Sequence, residues 1–172
     1  MQQNDGIDWG ARIEPGRTML GLHLGLSIGA VRRLIGCDGE TRQKATQFHN
    51  SPRLLVDCLR PGVIFFRAAD MEEVEYDWQN VLAGFVFKQD VLESIVVESI
   101  AGAAGCAYKG RILNKVGLGE RVAGLLEFGA IKFDDAGEVF YSDNLSGVEV
   151  AGDDSCDLSV NQNQIVTYIK IF

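Results

Sequence analysis

Paired carboxylates are the residues of this chain whose type and spacing first suggest chemistry. The sequence places Asp134 next to Asp135 and Asp153 next to Asp154. Two carboxyl groups held about 5–10 Å apart across a cleft, one with a raised pKa, could hydrolyse a glycosidic bond. Both pairs lie beside glycine at expected strand ends, where Asp and Gly are favoured by turn geometry. We therefore expect them to be structural or solvating, and a hydrolase with convergent carboxylates is the third alternative.

Other catalytic and metal-binding patterns are missing from the sequence. The segments that begin at Asp134 and Asp143 lack EF-hand spacing, and there is neither a nucleophile elbow nor a P-loop. His23 and His49 cluster with no other ligand. Gly117-Leu-Gly119 precedes an expected helix and could bind an anion through its N–H groups, but the acidic surroundings oppose a phosphate. We expect no enzyme, no metal and no cofactor.

The four cysteines bear on the compartment. No Cys-x-x-Cys pair occurs, and the wide spacing predicts buried thiols in a reducing cytoplasm. The first residues show no basic segment followed by an apolar one, and no run approaches the roughly 18 apolar residues that span a bilayer. The expected location is cytoplasmic and away from membranes. The cysteines are Cys37, Cys58, Cys106 and Cys156.

Acidic residues are concentrated in the C-terminal third. The net charge is −8, and residues 117–172 hold 10 acids against 3 bases, whereas residues 1–116 hold 14 against 13. No Lys or Arg occurs between Asp134 and Asp157. Phosphates would be repelled there, so nucleic acid and anionic membranes are excluded, and a basic protein partner is favoured. The predicted partner-binding residues are Asp134, Asp135, Glu138, Tyr141, Asp143, Glu149, Asp153, Asp154 and Asp157. A second acidic stretch surrounds Tyr76 and Trp78.

Local patterns place these acids on short strands that follow a helix. Ser27 fits an N-cap, and apolar residues at helical spacing predict a short helix that ends at Gly36. Alternating leucines over 20–26 predict a strand before the helix, and polar residues 37–52 predict a loop after it. Antiparallel strands are expected next at 54–59, 63–66, 74–78, 81–87 and 91–97.

The order of elements restarts after the small-residue linker 101–105. A strand at 111–113, a helical stripe that ends near Gly129, and strands at 131–133, 138–141, 148–150 and 165–172 follow. Gly25 and Gly117 coincide at a shift of 92 positions. The sequence therefore predicts an α+β fold, with antiparallel sheet and short helices. It forms one domain over 1–172 or two similar helix-then-meander halves, 1–104 and 105–172, fused into one unit.

Two stretches resemble immunity proteins of bacterial contact-dependent growth inhibition and related polymorphic toxin systems. The opening one is Pro15-Gly16 followed by Gly21-Leu-His-Leu-Gly25-Leu-Ser. The second, over roughly 108–150, contains Tyr108-Lys-Gly110-Arg, Val116-Gly117-Leu-Gly119, Phe133-Asp134-Asp135-Ala136-Gly137-Glu138 and Gly147-Val-Glu149-Val. The resemblance implies an acidic intracellular α+β protein that blocks a delivered toxin, often a nuclease, by binding it. The helix-then-sheet order is also similar in architecture to β-lactamase-inhibitor proteins.

Together these observations predict a non-enzymatic inhibitor that neutralises a basic toxin domain in the cytoplasm. The acids of 134–157 would speed association and occupy the cationic site of the toxin. The alternative is a small-ligand-binding or structural module in which the acids only keep the chain soluble.

Overall fold

A computed structural model describes residues 6–37, 44–58, 60–69 and 80–172. These residues contain the α-helix α1 (Ile28–Ile35) and 3₁₀ turns at Ala104–Cys106, Val122–Phe128 and Asp143–Leu145. In this part of the chain no helix has the length and apolar character needed to cross a membrane. The strands are β1 (Thr18–Met19), β2 (Leu22–His23), β3 (Lys44–Gln47), β4 (Arg53–Asp57), β5 (Val63–Ala68), β6 (Val81–Lys88), β7 (Val91–Glu98), β8 (Arg111–Ile112), β9 (Val116–Gly117), β10 (Lys132–Asp134), β11 (Val139–Tyr141), β12 (Val148–Gly152) and β13 (Val166–Ile171).

One antiparallel sheet dominates the described residues. Its nine strands follow the order β10-β11-β12-β13-β7-β6-β5-β4-β3, and β1-β2 and β8-β9 form separate two-stranded hairpins. The meander predicted from 54 to 97 is present as β4 to β7, whereas the strand expected at 74–78 lies outside the described residues. The predicted antiparallel sheet with short helices is thus confirmed in outline, with sheet far exceeding helix.

A single row of buried side chains crosses seven strands and forms the centre of the core. Each member is the register partner of the next, and none is more than 3% exposed. The row is Phe140, Val150, Ile169, Val97, Ala83, Phe66 and Val56. Because side chains alternate along a strand, their neighbours Glu149, Ala151, Tyr168, Lys170 and Glu98 lie on the opposite face. We call this opposite face of β10–β13 and β7 the outer face.

The core face is covered by the N-terminal segment, α1 and the segment 104–129. Trp9 packs edge-on against Phe66, with ring centroids 6.4 Å apart, and its indole donates to the Cys106 carbonyl at 3.0 Å. The Tyr108 hydroxyl accepts from the Leu20 N–H at 3.2 Å and donates to the Ala11 carbonyl. These long-range bonds fasten both segments over the sheet and satisfy their buried polar groups.

Helix α1 has the predicted bounds for the predicted reasons. The Ser27 hydroxyl accepts from the Ala30 N–H at 3.2 Å, and Gly36 ends the helix in the left-handed conformation at φ 67°. Val31 and Ile35 face the core, so the apolar stripe is the buried one. The predicted N-cap and stop are both confirmed.

Two local predictions before β4 are wrong. The strand expected over 20–26 is instead the β1-β2 hairpin, because Leu20 and Gly21 take positive φ values of 56° and 77° and reverse the chain. The loop expected over 37–52 contains β3, which pairs with β4 through Thr46 and Leu54. The polar sequence of β3 lacks the apolar alternation that predicts a strand. Polar residues are nevertheless suited to β3, because it is a strand at the edge of the sheet.

The entry to each half shows one repeated hydrogen-bond pattern. In the first half the bonds run from Gly25 N–H to Leu92 C=O, Leu92 N–H to Leu26 C=O and Ile28 N–H to Asp90 C=O. In the second half they run from Gly119 N–H to Val166 C=O, Val166 N–H to Glu120 C=O and Val122 N–H to Gln164 C=O. The geometric match pairs Gly25 with Gly119, so the predicted pairing of Gly25 with Gly117 is wrong by two positions. The division into halves 1–104 and 105–172 stays a prediction.

A disulfide corrects the expectation of four reduced thiols. Cys37, just after α1, is joined to Cys58, just after β4, with Cα atoms 6.9 Å apart. Cys106 and Cys156 are free and partly exposed. Nothing in the spacing of 21 positions indicated the pair, because it depends on the way α1 packs near the end of β4.

Candidate functional site

A cleft on the outer face brings together carboxylates from three parts of the chain. Its volume is about 430 Å³, and we call it the acidic cleft. Strand β7 contributes Glu98, β12 contributes Glu149, and the β10-β11 turn contributes Asp134 and Glu138. Tyr168 of β13 lies among them. The cleft is also lined by Ser99, Gly137, Val139, Ala151, Gly152, Ser155 and Thr167.

Strand register fixes the two sides of the cleft. Tyr168 is the register partner of Glu98 on one side and of Ala151 on the other. Two positions further along β13, on the same face, Lys170 pairs with Glu149, and its ammonium lies 3.1 Å from the carboxylate. The arrangement therefore depends on β13 pairing with both β12 and β7.

The β10-β11 hairpin closes a third side. Asp134 ends β10 opposite Val139, and its carboxylate accepts from the Ala136 N–H at 3.0 Å. This bond shapes the turn, as aspartate commonly does. Glu138 has a positive φ of 54° at the last turn position, next to the strand that returns beside β12. Residues of this hairpin thus stabilise the turn and also line the cleft.

Among the residues that the structure describes, only one of the cleft carboxylates has a close cation. Lys170 contacts Glu149, but within the described residues no Lys or Arg contacts Glu98. Burial raises the pKa of Glu98, which shows that the ionised form is incompletely solvated. Burial, with Glu149 and Glu98 nearby, raises the pKa of Tyr168 to about 12. The cleft is therefore a region of uncompensated negative charge.

The predicted partner-binding acids separate into three groups. Asp134, Glu138 and Glu149 meet in the acidic cleft, and Asp135 is exposed at the tip of the adjoining turn. The predicted set is thus only partly brought together.

Tyr141 and Asp143 form a second group further along the same edge of the sheet. Lys132 lies opposite Tyr141 in the register, with its ammonium 5.7 Å from the ring centroid and 2.7 Å from the Asp143 carboxylate. Asp143 is thus already neutralised by a lysine outside the base-free stretch, whereas the Tyr141 ring is 40% exposed.

The third group, Asp153, Asp154 and Asp157, stabilises the loop between β12 and β13. Asp153 accepts from the Ile165 N–H at 2.8 Å, and Asp154 accepts from the Asn161 amide at 3.3 Å. Hydrogen bonds from Ser159 lower the pKa of Asp157. None of these three acids lines the acidic cleft, although Gly152 and Ser155, which flank the Asp153-Asp154 pair, do.

Two residues of the cleft were missed by the sequence analysis, namely Glu98 and Tyr168. Glu98 ends a strand about 36 positions before the base-free stretch, so no local pattern links it to Asp134. Tyr168 did carry a signal, since it alternates with Ile169 on β13, and a polar-tipped residue opposite a core residue marks the exposed face. Residues Tyr76 and Trp78 lie outside the described part of the chain.

The chemistry available to the acidic cleft is cation binding. It contains no histidine or cysteine, and within the described ranges no group of three or more His, Cys, Asp or Glu side chains could hold a metal ion. Carboxylates beside a tyrosine ring can receive ammonium or guanidinium groups through charge-assisted hydrogen bonds and ring stacking.

A second cleft, of about 450 Å³, lies between the N-terminal segment and the β3-β4 turn. The Asp8 carboxylate lies 3.2 Å from the His49 ring and accepts from the Asn50 amide at 2.9 Å. The His49 side chain is 61% exposed. A backbone bond from Trp9 N–H to the His49 carbonyl runs beside it, so the cluster ties the segment to the sheet.

No protein-family model and no curated protein sequence matches this chain. The chain is similar to one solved structure, described as the crystal structure of the uncharacterized protein yfeY from Escherichia coli. The identity is 13%, the match covers 96% of this chain and 95% of that one, and the TM-score is 0.42.

Proposed function

We propose that this chain is an immunity or inhibitor protein that binds and neutralises a basic toxin domain. The observation that carries the proposal is the convergence of Glu98, Asp134, Glu138 and Glu149 in one cleft on an open sheet face. The resemblance of 108–150 to immunity proteins supports the same function.

Electrostatics explain how such a cleft would act. A toxin that cleaves nucleic acid needs a cationic site for phosphates, and carboxylates can occupy that site instead. Charge complementarity also speeds the encounter, and ionic strength weakens this effect. The protein would inhibit by covering the site of the toxin, without chemistry of its own.

The compartment of the encounter is testable through the cysteines. The resemblance favours the cytoplasm, whereas a Cys37–Cys58 disulfide is typical of an oxidising compartment. Alkylation of the protein in intact cells, before any exposure to air, decides the question. Alkylation of all four cysteines, completed after unfolding, would show that the pair is reduced in the cell and would support the cytoplasm. Alkylation of only two would oppose it.

Growth protection tests the function. The chain is co-expressed with the C-terminal domain of a large secreted protein encoded by the neighbouring gene, and growth is compared with cells that lack the chain. We expect growth to be restored, and a complex to be recovered whose association slows steeply with salt. Continued killing by an expressed, soluble chain would overturn the proposal.

A second candidate is binding of a small cationic ligand. The volume of the acidic cleft falls within the range of about 300–1,000 Å³ that is usual for ligand sites. Its lining is more polar than such sites usually are, which favours the protein partner. Spermidine is a suitable probe, and a saturable rise in thermal stability that is lost in Glu98→Gln would favour the ligand.

A further inference from the structure

We infer that the outer face receives a basic segment of the partner and that the acidic cleft holds one arginine side chain of that segment. The inference rests on the proposed function and names the part of the partner that this surface fits. Glu98 is assigned as the carboxylate that binds the guanidinium.

The first support is the state of the two faces of the sheet. The core face is covered by the N-terminal segment, α1 and residues 104–129, but within the described ranges nothing packs over Tyr141 and Glu138 on the outer face, which remain exposed. A sheet face with exposed aromatic and charged side chains and no covering layer is available to a partner.

The second support is the distribution of charge within the cleft. Lys170 compensates Glu149, whereas no Lys or Arg among the described residues pairs with Glu98, Asp134 or Glu138. Of these three carboxylates, Glu98 is the partly buried one and Asp134 and Glu138 are exposed, so an added cation is needed most at Glu98. One oxygen of the Asp134 carboxylate accepts the Ala136 N–H within the turn, and the second oxygen lies near Gly137, which lines the cleft. Burial removes water from the ionised Glu98 carboxylate, which raises its pKa. One positive charge beside this carboxylate would offset that loss of solvation.

The third support is the tyrosine at the floor of the site. Tyr168 is the register partner of Glu98, so a group bound to that carboxylate lies beside the ring. A guanidinium is planar, stacks on aromatic faces and donates from five N–H groups, whereas an ammonium is more strongly hydrated and does not stack in this way. Arginine therefore fits this site better than lysine.

A labelled peptide tests the assignment directly. The probe is a fluorescein-labelled six-residue peptide that alternates Arg with Gly, and its lysine analogue is the comparison. We expect the arginine peptide to bind more tightly than the lysine peptide at low ionic strength. Equal or tighter binding of the lysine peptide would overturn the choice of arginine.

Two matched variants locate the site on the surface. Glu98→Gln removes the assigned carboxylate, and we expect about tenfold weaker binding, as for loss of a charge-assisted hydrogen bond. Glu93→Gln changes the net charge equally on the same strand, but Glu93 already pairs with Lys88 at 3.4 Å, so we expect binding within twofold of the wild type. Equal losses in both variants, or none in Glu98→Gln, would refute the site.

Separate controls distinguish a loss of folding, a loss of the arginine site and a failure of the proposed function. Glu98 is at the end of β7 and outside the core, and circular dichroism with chemical-shift mapping on Tyr168 checks that Glu98→Gln keeps the fold. Loss of peptide binding with full protection against the toxin would reject the arginine site and leave the proposed function standing. Peptide binding at the cleft without protection would reject the function and retain the site.

Discussion

Glu98 and Tyr168 lie directly opposite each other across the antiparallel pair of β7 and β13. This one register position joins two residues of the outer face that are 70 positions apart in the chain. Burial, followed by the charges of Glu149 and Glu98, raises the pKa of the phenol, and burial raises the pKa of the Glu98 carboxyl. The pairing of β7 with β13 therefore places both residues in the lining of the acidic cleft.

Replacement of Glu98 by Gln should stabilise the protein near neutral pH. The folded carboxyl has a pKa above its ordinary value of 4.5, so folding is penalised as the pH rises through the raised value. We expect a higher free energy of unfolding at neutral pH, and no gain below the ordinary value, where the carboxyl is protonated in both states. Urea unfolding at both pH values measures it, and a less stable variant at neutral pH would contradict the buried-carboxyl account.

The phenol of Tyr168 should titrate well above an ordinary tyrosine. Burial and the charges of Glu149 and Glu98 raise its pKa to about 12. Ultraviolet titration should show this transition, Tyr168→Phe should remove it, and Glu98→Gln or Glu149→Gln should move it down towards 10.0. An unchanged transition in both carboxylate variants would mean that neither charge reaches the ring.

Loss of the Cys37–Cys58 disulfide should destabilise the fold substantially. For a sequence separation of 21, the loop-closure model gives about 3 kcal/mol. Cys37→Ser combined with Cys58→Ser should lower the free energy of unfolding by that order, with Cys106→Ser as the matched control. Thiol counting on the unreduced, unfolded protein supplies the direct check, because four titratable thiols would show that the pair is open.

Tyr108→Phe should destabilise the chain because its hydroxyl is buried and makes two backbone bonds. The hydroxyl accepts from Leu20 and donates to Ala11, and the residue is 2% exposed. Removing it leaves both backbone groups without this partner, which costs about 1–3 kcal/mol. Tyr141→Phe, at an exposed ring, should change the unfolding free energy by less than about 0.5 kcal/mol. Similar losses in the two variants would contradict the anchoring role of Tyr108.

Acids of the cleft should matter more to partner binding than acids of the β12-β13 loop. Glu98→Gln combined with Glu149→Gln removes two cleft charges and leaves Lys170 unpaired, so association with the toxin domain should slow by about tenfold at low salt. Asp153→Ala combined with Asp157→Ala removes the same charge and also the acceptors of two loop hydrogen bonds, so its main effect should be on stability. Stopped-flow rates and melting temperatures separate the two, and the reverse ranking of rates would favour the loop as the docking surface.

The sequence by itself determined the features that depend on neighbouring residues. The bounds of α1 follow from Ser27 and Gly36, and the meander β4 to β7 follows from apolar runs separated by turns. Asp134 accepts a bond from the Ala136 N–H two residues ahead, as the turn interpretation predicted. These features need only local backbone hydrogen bonds and side-chain alternation, which a sequence displays directly.

Only the tertiary structure decided which acids act together. Glu98 joins Glu149 because β13 pairs with β7 as well as β12, and strand pairing at long range leaves no periodic trace in the sequence. The same is true of the Cys37–Cys58 pair, and of Asp143, which is removed from the acidic set by Lys132. One base-free stretch in the sequence is thus three separate environments in space, because the sheet brings three of its acids into one cleft with Glu98 and the others lie in turns and loops of their own.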